Sequence, residues 1–445
     1  MNNLFVKLKE IPNIIESAVI LKKPNSPIRI FKGDFLLINS EHDIKIDIKG
    51  EINFEWFPNY GCIFLGDISI VDFDKFILNP YLSYDVIADK KDLGKAFIHK
   101  TINSTSSNKA LIKGVFENKV LVGTKTEPID EIIFSIPNLK SISGDVVKKV
   151  TLTKIISTRS RITLDNQKWK IIIDKNIEYN NLNNELEIIG GYNILYTGKI
   201  THTKGQKFTY DEAEEIINCL DTFLSFINGR RISTLFLNGF TEGIKKWTDY
   251  SPKSVETYKN VPSCIYYRNI SSLDIMWKEF SAIWETDKGN DFLKSIIHWY
   301  TQSNNKAGLL EGSIIMAQAG LEKLYFWTWK EENDPENTPQ KLRKLTKYLH
   351  IKDFEVLSNY ITLNEFSRIH IKKHKHRDIA GIITTIRNNI IHPKETIEIN
   401  SQTKNEALQL SLWVIEIALL KINKYEGKYH DRTTGKLIDF EHNNK

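Results

Sequence analysis

The hydrophobic rhythm of the chain changes near residue 200. Before that point apolar and polar residues alternate. Ile44, Ile46 and Ile48 are interleaved with Asp43, Lys45, Asp47 and Lys49, and Ile52, Phe54 and Trp56 with Glu51, Asn53 and Glu55. A period of two with one apolar face predicts half-buried antiparallel strands. Lys49-Gly50 reads as the turn between two of them. Further short strands are predicted over residues 61–65, 110–116, 119–122, 131–136, 146–156, 169–173 and 186–189. Residues 101–108 (TINSTSSN) form a polar loop. No helical period is read before Thr209. Many short strands at close spacing predict a sandwich or barrel-like sheet.

After residue 200 the period becomes helical. In Tyr210–Asn228, Ile216, Ile217, Leu220, Phe223, Leu224 and Ile227 share one stripe. Thr209 or Asp211 suits its N-cap, and Gly229 its end. Residues 232–269 mix short strands with aromatics and read as a connector. Helices are then predicted over 273–284, 292–303, 307–330, 339–350, 353–367, 378–391 and 405–425. Four or five of these pack as a bundle. The polar residues 431–445 read as a frayed tail. The fold class is therefore α+β: an antiparallel β-rich domain over 1–205, a helical and mixed connector over 206–289, a helical bundle over 290–428 and a tail over 429–445.

Composition narrows the function. At 445 residues, 41% hydrophobic and 26% charged, the chain has room for two or three ordinary cores. No apolar run approaches the roughly 20 residues of a membrane helix. The N-terminus lacks the basic-then-apolar layout of a signal peptide. A cytoplasmic protein with no membrane partner is expected. Cys62, Cys219 and Cys264 are odd in number and form no CxxC pair, so neither a disulfide framework nor a zinc site is indicated. No metal site and no cofactor is expected, and no glycine-rich phosphate loop is present. The β half carries no candidate chemistry, which leaves recognition as its role by elimination. A net charge of +6 is compatible with an RNA partner.

Candidate chemistry concentrates in Ile386-Arg387-Asn388-Asn389-Ile390-Ile391-His392-Pro393. Positions five apart lie about 140° out of phase on a regular helix, so Arg387 and His392 do not share a face there. Pro393 disfavours the α conformation at His392 and predicts that the helix ends at that residue. A frayed last turn lets the imidazole swing back toward Arg387, while Asn388 and His392, four apart, are already neighbours. Histidine titrates near neutral pH and suits a general base. The guanidinium fork suits a phosphorane that is gaining charge. Asn388 can orient either. The plain alternative is that Arg387 caps an exposed face and His392 ends a helix. Two other pairs, Arg343 with His350 and Arg368 with His374, have similar spacing but lack the Asn, the paired isoleucines and the Pro. Ahead of the motif, Lys372, Lys373, Lys375 and Arg377 form a basic run, either a solvated loop or a track for RNA phosphates. Trp327 and Trp329 suit base stacking or, more simply, core packing.

The Arg387-Asn388 to His392-Pro393 motif on a late helix resembles the Arg-x(4–6)-His motif of HEPN-domain ribonucleases. Glu322, in Gly320-Leu321-Glu322-Lys323-Leu324-Tyr325, is similar to the acidic position on that family's first helix. The resemblance spans about residues 290–425. A β-rich region ahead of such a bundle also resembles ApeA-type anti-phage proteins. The resemblance implies a metal-independent endoribonuclease whose active site lies between two bundles of a homodimer or higher homo-oligomer. Catalysis is then expected from Arg387, Asn388 and His392, with Glu322 pairing the arginine. It further implies an RNA substrate, tRNA among the candidates, and latent activity in abortive infection, released by a phage-derived trigger at the β domain. The alternative is a non-catalytic module that binds nucleotide or protein.

Overall fold

The computed structural model describes residues 10–69, 72, 82–103, 109–117, 119–268, 270–329, 336–371, 377–392 and 398–440. It divides into two compact units. One takes in Met1–Thr163, Gln167–Ile217 and Ile232–Lys259; the other takes in Leu164–Asn166, Asn218–Arg231 and Asn260–Lys445. The architecture is the expected α+β, with a β-rich N-terminal region and a helical C-terminal region.

Within the first unit, strands β1 (Ile28–Asn39), β2 (Ile44–Glu55), β3 (Gly61–Ser69), β4 (Ser83–Ala88), β5 (Lys91–Asn103) and β6 (Lys109–Phe116) close a barrel in the order β1-β2-β3-β6-β5-β4. Alternate residues fill its interior, among them Leu37, Ile46, Ile48, Ile52, Phe64 and Val86. Lys49-Gly50 is not a turn: β2 runs straight through it. Gly50 pairs with Gly33 on one side and Gly66 on the other. A Cβ on Gly50 would lie 2.1 Å from the Leu65 carbonyl oxygen. Close backbone approach, rather than chain reversal, explains the glycine.

The same unit carries an eight-stranded sheet of β7 (Leu121–Gly123), β8 (Glu131–Pro137), β9 (Asp145–Val150), β10 (Ile155–Asp165), β11 (Trp169–Lys175), β12 (Ile194–His202), β13 (Leu235–Thr241) and β14 (Ile244–Asp249). Its order is β7-β14-β13-β8-β12-β11-β10-β9. Residues 146–156, expected as one strand, are a hairpin. Residues 186–189, expected as a strand, are the last turn of α1 (Tyr179–Ile189). Tyr179, Leu182 and Leu186 are buried at helical spacing, whereas Ile188 and Ile189 point outward. The isoleucines made a helix end look like a strand. One packing device recurs across both sheets. Gly114, Gly198 and Gly239 are the cross-strand partners of Phe64, Phe134 and Trp247. A Cβ on these glycines would come within 2.1, 2.2 and 2.3 Å of the facing ring. Each aromatic lies across the surface its glycine leaves bare.

α2 (Tyr210–Asn228) begins in the first unit and ends in the second. The second unit continues with α3 (Ile270–Trp284), α4 (Asp287–Asn304), α5 (Leu309–Trp329), α6 (Thr338–Tyr348), α7 (Asp353–Leu357), α8 (Ile361–His370), α9 (Ile379–Ile391) and α10 (Ser401–Ile422). α10 is the central helix, buried on most of its circumference and packed on α4, α5, α8 and α9. Residues 353–367, expected as one helix, are split into α7 and α8. Tyr360 turns inward at the break, which no Gly or Pro announces.

The expected frayed tail is a hairpin, β15 (Gly427–Asp431) with β16 (Lys436–Phe440). Arg432 in its turn reaches into the bundle. Its Nε donates to Glu416 Oε2 (2.8 Å) and its Nη2 to Glu416 Oε1 (2.7 Å). The same fork donates to Asn304 Oδ1 (2.7 Å) and Gln409 Oε1 (2.9 Å). Tyr300 donates to Glu416 Oε1 at 2.6 Å. The Glu416 side chain is 0% exposed and that of Arg432 5%. Burial works against the Arg432 charge, but the adjoining carboxylate outweighs it and raises the guanidinium's pKa.

Two outcomes follow for stability. Gly198→Ala drives a Cβ into Phe134 and costs about 1–3 kcal/mol in denaturant unfolding. Arg432→Met strands a buried carboxylate and costs about 3–5 kcal/mol, while Arg432→Met with Glu416→Met together costs less than Arg432→Met alone. Equal or greater loss in the double variant shows that the pair does not act as a unit.

Candidate functional site

α9 is held firmly at its start. Asp378 Oδ1 accepts from the Gly381 N–H (2.7 Å), an N-cap that satisfies one of the free donors of the first turn. The same carboxylate is gripped by the guanidinium of Arg343 on α6 through Nε and Nη2. Asp353 Oδ1 accepts from the Ile379 N–H at 3.1 Å. Burial raises the pKa of the Asp353 carboxyl, and the neighbouring Asp378 adds to the rise. Ile379, Ala380, Ile382, Ile383 and Ile386 then bury one face of the helix, which packs on α5, α6 and α10.

The far end carries the motif. α9 stops at Ile391, and His392 leaves the helical region with φ −127° and ψ 75°. Its N–H still donates to the Asn388 carbonyl at 2.7 Å. The imidazole is exposed, as is the Asn388 side chain, and Arg387 is half-buried. Arg387 Nη1 donates to Asn388 Oδ1 at 3.1 Å, so the amide orients the guanidinium. Arg387 and His392 make no hydrogen bond to each other within one chain. The helix end therefore presents cation, amide and imidazole to solvent, as separate groups rather than a closed cluster.

Glu322 departs from the expectation. Its Oε1 accepts from Thr338 Oγ1 (3.3 Å) at the start of α6, and it makes no ion pair with Arg387. The carboxylate thus serves the α5–α6 junction within the chain. Lys372, Lys373 and Lys375 lie outside the described residues. Arg377 is described, and it is engaged locally. Its Nε donates to the Ile371 carbonyl (3.1 Å) and its Nη2 to the Arg368 carbonyl (3.1 Å), closing the end of α8. Beside it opens a cleft of about 440 Å³ lined by Asp353, Phe354, Arg368, Arg377 and Asp378, among others. Asp378 and Arg387 stand nine residues apart, roughly 13 Å along the helix, so this cleft is distinct from the motif end. Trp327 stacks on Phe292 at 4.4 Å, and Trp329 on Tyr325 at 4.9 Å, so both rings are used in packing.

One arginine–histidine contact had no signature in the sequence. Arg231 Nη2 donates to His298 Nδ1 at 2.7 Å. Partial burial and the adjacent guanidinium both lower the pKa of His298. The two residues are far apart in the chain, so no spacing rule could pair them. Among the described residues no group of three or more His, Cys, Asp or Glu is placed to hold a metal ion. Cys62, Cys219 and Cys264 are all buried, and none forms a disulfide. No described helix is long and apolar enough to cross a membrane.

No solved structure matches. The chain is similar to the SPbeta prophage-derived uncharacterized protein YopA of Bacillus subtilis (strain 168), with 24% identity over 434 residues, covering 96% of each chain. Residues 124–261 match the family model described as the YopA central domain, and residues 286–441, which include Glu322 and the whole motif, match the YopA C-terminal domain.

Proposed function

We propose that the helical unit is a metal-independent endoribonuclease of the HEPN type, acting on RNA. The observation that supports this best is the end of α9. There, helical geometry stops at His392 beside a guanidinium oriented by Asn388. In the reaction His392 takes the proton of a ribose 2′-OH. The 2′-oxygen then bonds to the adjacent phosphorus, the bond to the 5′-oxygen breaks, and a proton passes to that leaving oxygen. Arg387 stabilises the charge that gathers on the phosphoryl oxygens.

The separation of Arg387 from His392 within one chain favours a site completed by a second copy, so the active species is a homodimer or higher homo-oligomer. Activity is cytoplasmic and latent, released when a phage-derived trigger engages the β domain, and it serves abortive infection. The prophage origin of the similar Bacillus subtilis protein fits a role in conflict between phage and host. The second reading is a non-catalytic module that binds nucleotide or protein. The charged cleft at the opposite end of α9 favours it.

Arg387→Ala and His392→Ala each lower RNA cleavage at least about 100-fold, without a shift in melting temperature, in the presence of EDTA. Cleavage is followed on total RNA from induced and phage-challenged cells. Variants that cleave as wild type does, or cleavage abolished by EDTA, contradict the ribonuclease reading. Retained folding with loss of nucleotide binding and no cleavage in any form supports the binding module instead.

A further inference from the structure

The β9–β10 hairpin carries three exposed aliphatic side chains, Val150, Leu152 and Ile155. β9 is the last strand of the eight-stranded sheet. Among the described residues, the N-terminal segment pairs with its outer edge at Lys148. There, Ile14 N donates to the Lys148 carbonyl, and Lys148 N to the Pro12 carbonyl, both at 2.9 Å. Beyond that point lies a closed turn. The Thr151 N–H donates to the Lys154 carbonyl (2.9 Å), and the Thr151 hydroxyl donates to it as well (2.8 Å). At its apex Leu152 is fully exposed (107%), with Val150 at 60% and Ile155 at 45%. Val150 and Ile155 are direct cross-strand partners and so share one face.

Charge is graded along the same face. Below the aliphatic rung lies Lys148 opposite Ser157, and below that Arg159 opposite Val146. At about 3.3 Å per residue these rungs sit roughly 7 and 13 Å from the first. Lys149 and Lys154, both exposed, flank the tip. Between Val146 and Leu164 the sequence contains no Asp or Glu. An apolar apex with cations set behind it has the depth profile of a bilayer surface, in which aliphatic groups enter by about 5–10 Å and lysines meet anionic headgroups.

We infer that this hairpin docks the protein, peripherally, on an anionic lipid surface. A nucleic-acid arm would put the lysines and threonines on phosphates but leave three convex aliphatic side chains without a partner. A hydropathy window misses the feature because the three residues alternate with Thr and Lys.

The test is flotation of the full chain with vesicles of phosphatidylcholine plus phosphatidylglycerol, or of phosphatidylcholine alone. Wild type floats with the anionic vesicles and not with the neutral ones. Leu152→Asp, and Lys149→Glu with Lys154→Glu, each lower the bound fraction about tenfold. Leu152→Trp raises it. These side chains are exposed, so all variants keep the wild-type melting temperature. The inference is overturned if wild type stays in solution, or if Leu152→Asp floats equally well. It is also overturned if the protein prefers duplex nucleic acid in a manner that depends on the lysines but not on Leu152.

Discussion

Burial of the isoleucine face of α9 decides how the bundle presents its chemistry. Once Ile382, Ile383 and Ile386 are committed to the core, the rotation of the helix leaves Asn388 exposed and Arg387 half-exposed. Asp378, held by Arg343, fixes the other end and so the register of the helix against α6. A carboxylate at a helix N-terminus meets both the unsatisfied N–H groups and the favourable end of the dipole, so the anchor is strong for a single residue. The motif thus sits at the free end of a lever whose fixed end is built from polar contacts.

Much of this was legible in residue pattern. The change of period near residue 200 located the β-rich and helical regions, and Pro393 located the end of α9 at His392. What escaped depends on close approach and burial, which position along the chain does not encode. Gly50 reads as a turn because glycine serves both reversals and tight backbone crossings, and only the facing Gly33 and Gly66 tell them apart. Ile188 and Ile189 read as a strand because exposed apolar residues mimic buried ones. Arg432 lies in a run of polar residues that looks solvated, yet its fork fills a slot made by Tyr300, Asn304, Gln409 and Glu416. All four partners lie on two helices, α4 and α10.

The candidate site shows the same division. Sequence context singled out Arg387 and His392, and their helix places both at an accessible end. The family likeness also implied an ion pair between Glu322 and Arg387. In the chain Glu322 bonds instead to Thr338, at the start of the helix that follows its own. The contact between Arg231 and His298 arises wholly from tertiary packing. A pair of residue types at an attractive spacing is therefore a statement about a helix end, and its chemistry depends on what the fold, and a second copy, bring opposite it.

The central claim is that two copies bring their α9 ends together. Cysteine cross-linking at Asn388→Cys tests it most directly, because Cys62, Cys219 and Cys264 are buried and give a silent background. Mild oxidation of the full chain should yield a disulfide-linked dimer, reversed by reductant, while a cysteine at the exposed Ser358 on the α7–α8 side should not. An Asn388→Cys chain that stays monomeric under oxidation, or that cross-links no better than the Ser358→Cys chain, contradicts a composite site and leaves the motif as the end of one helix.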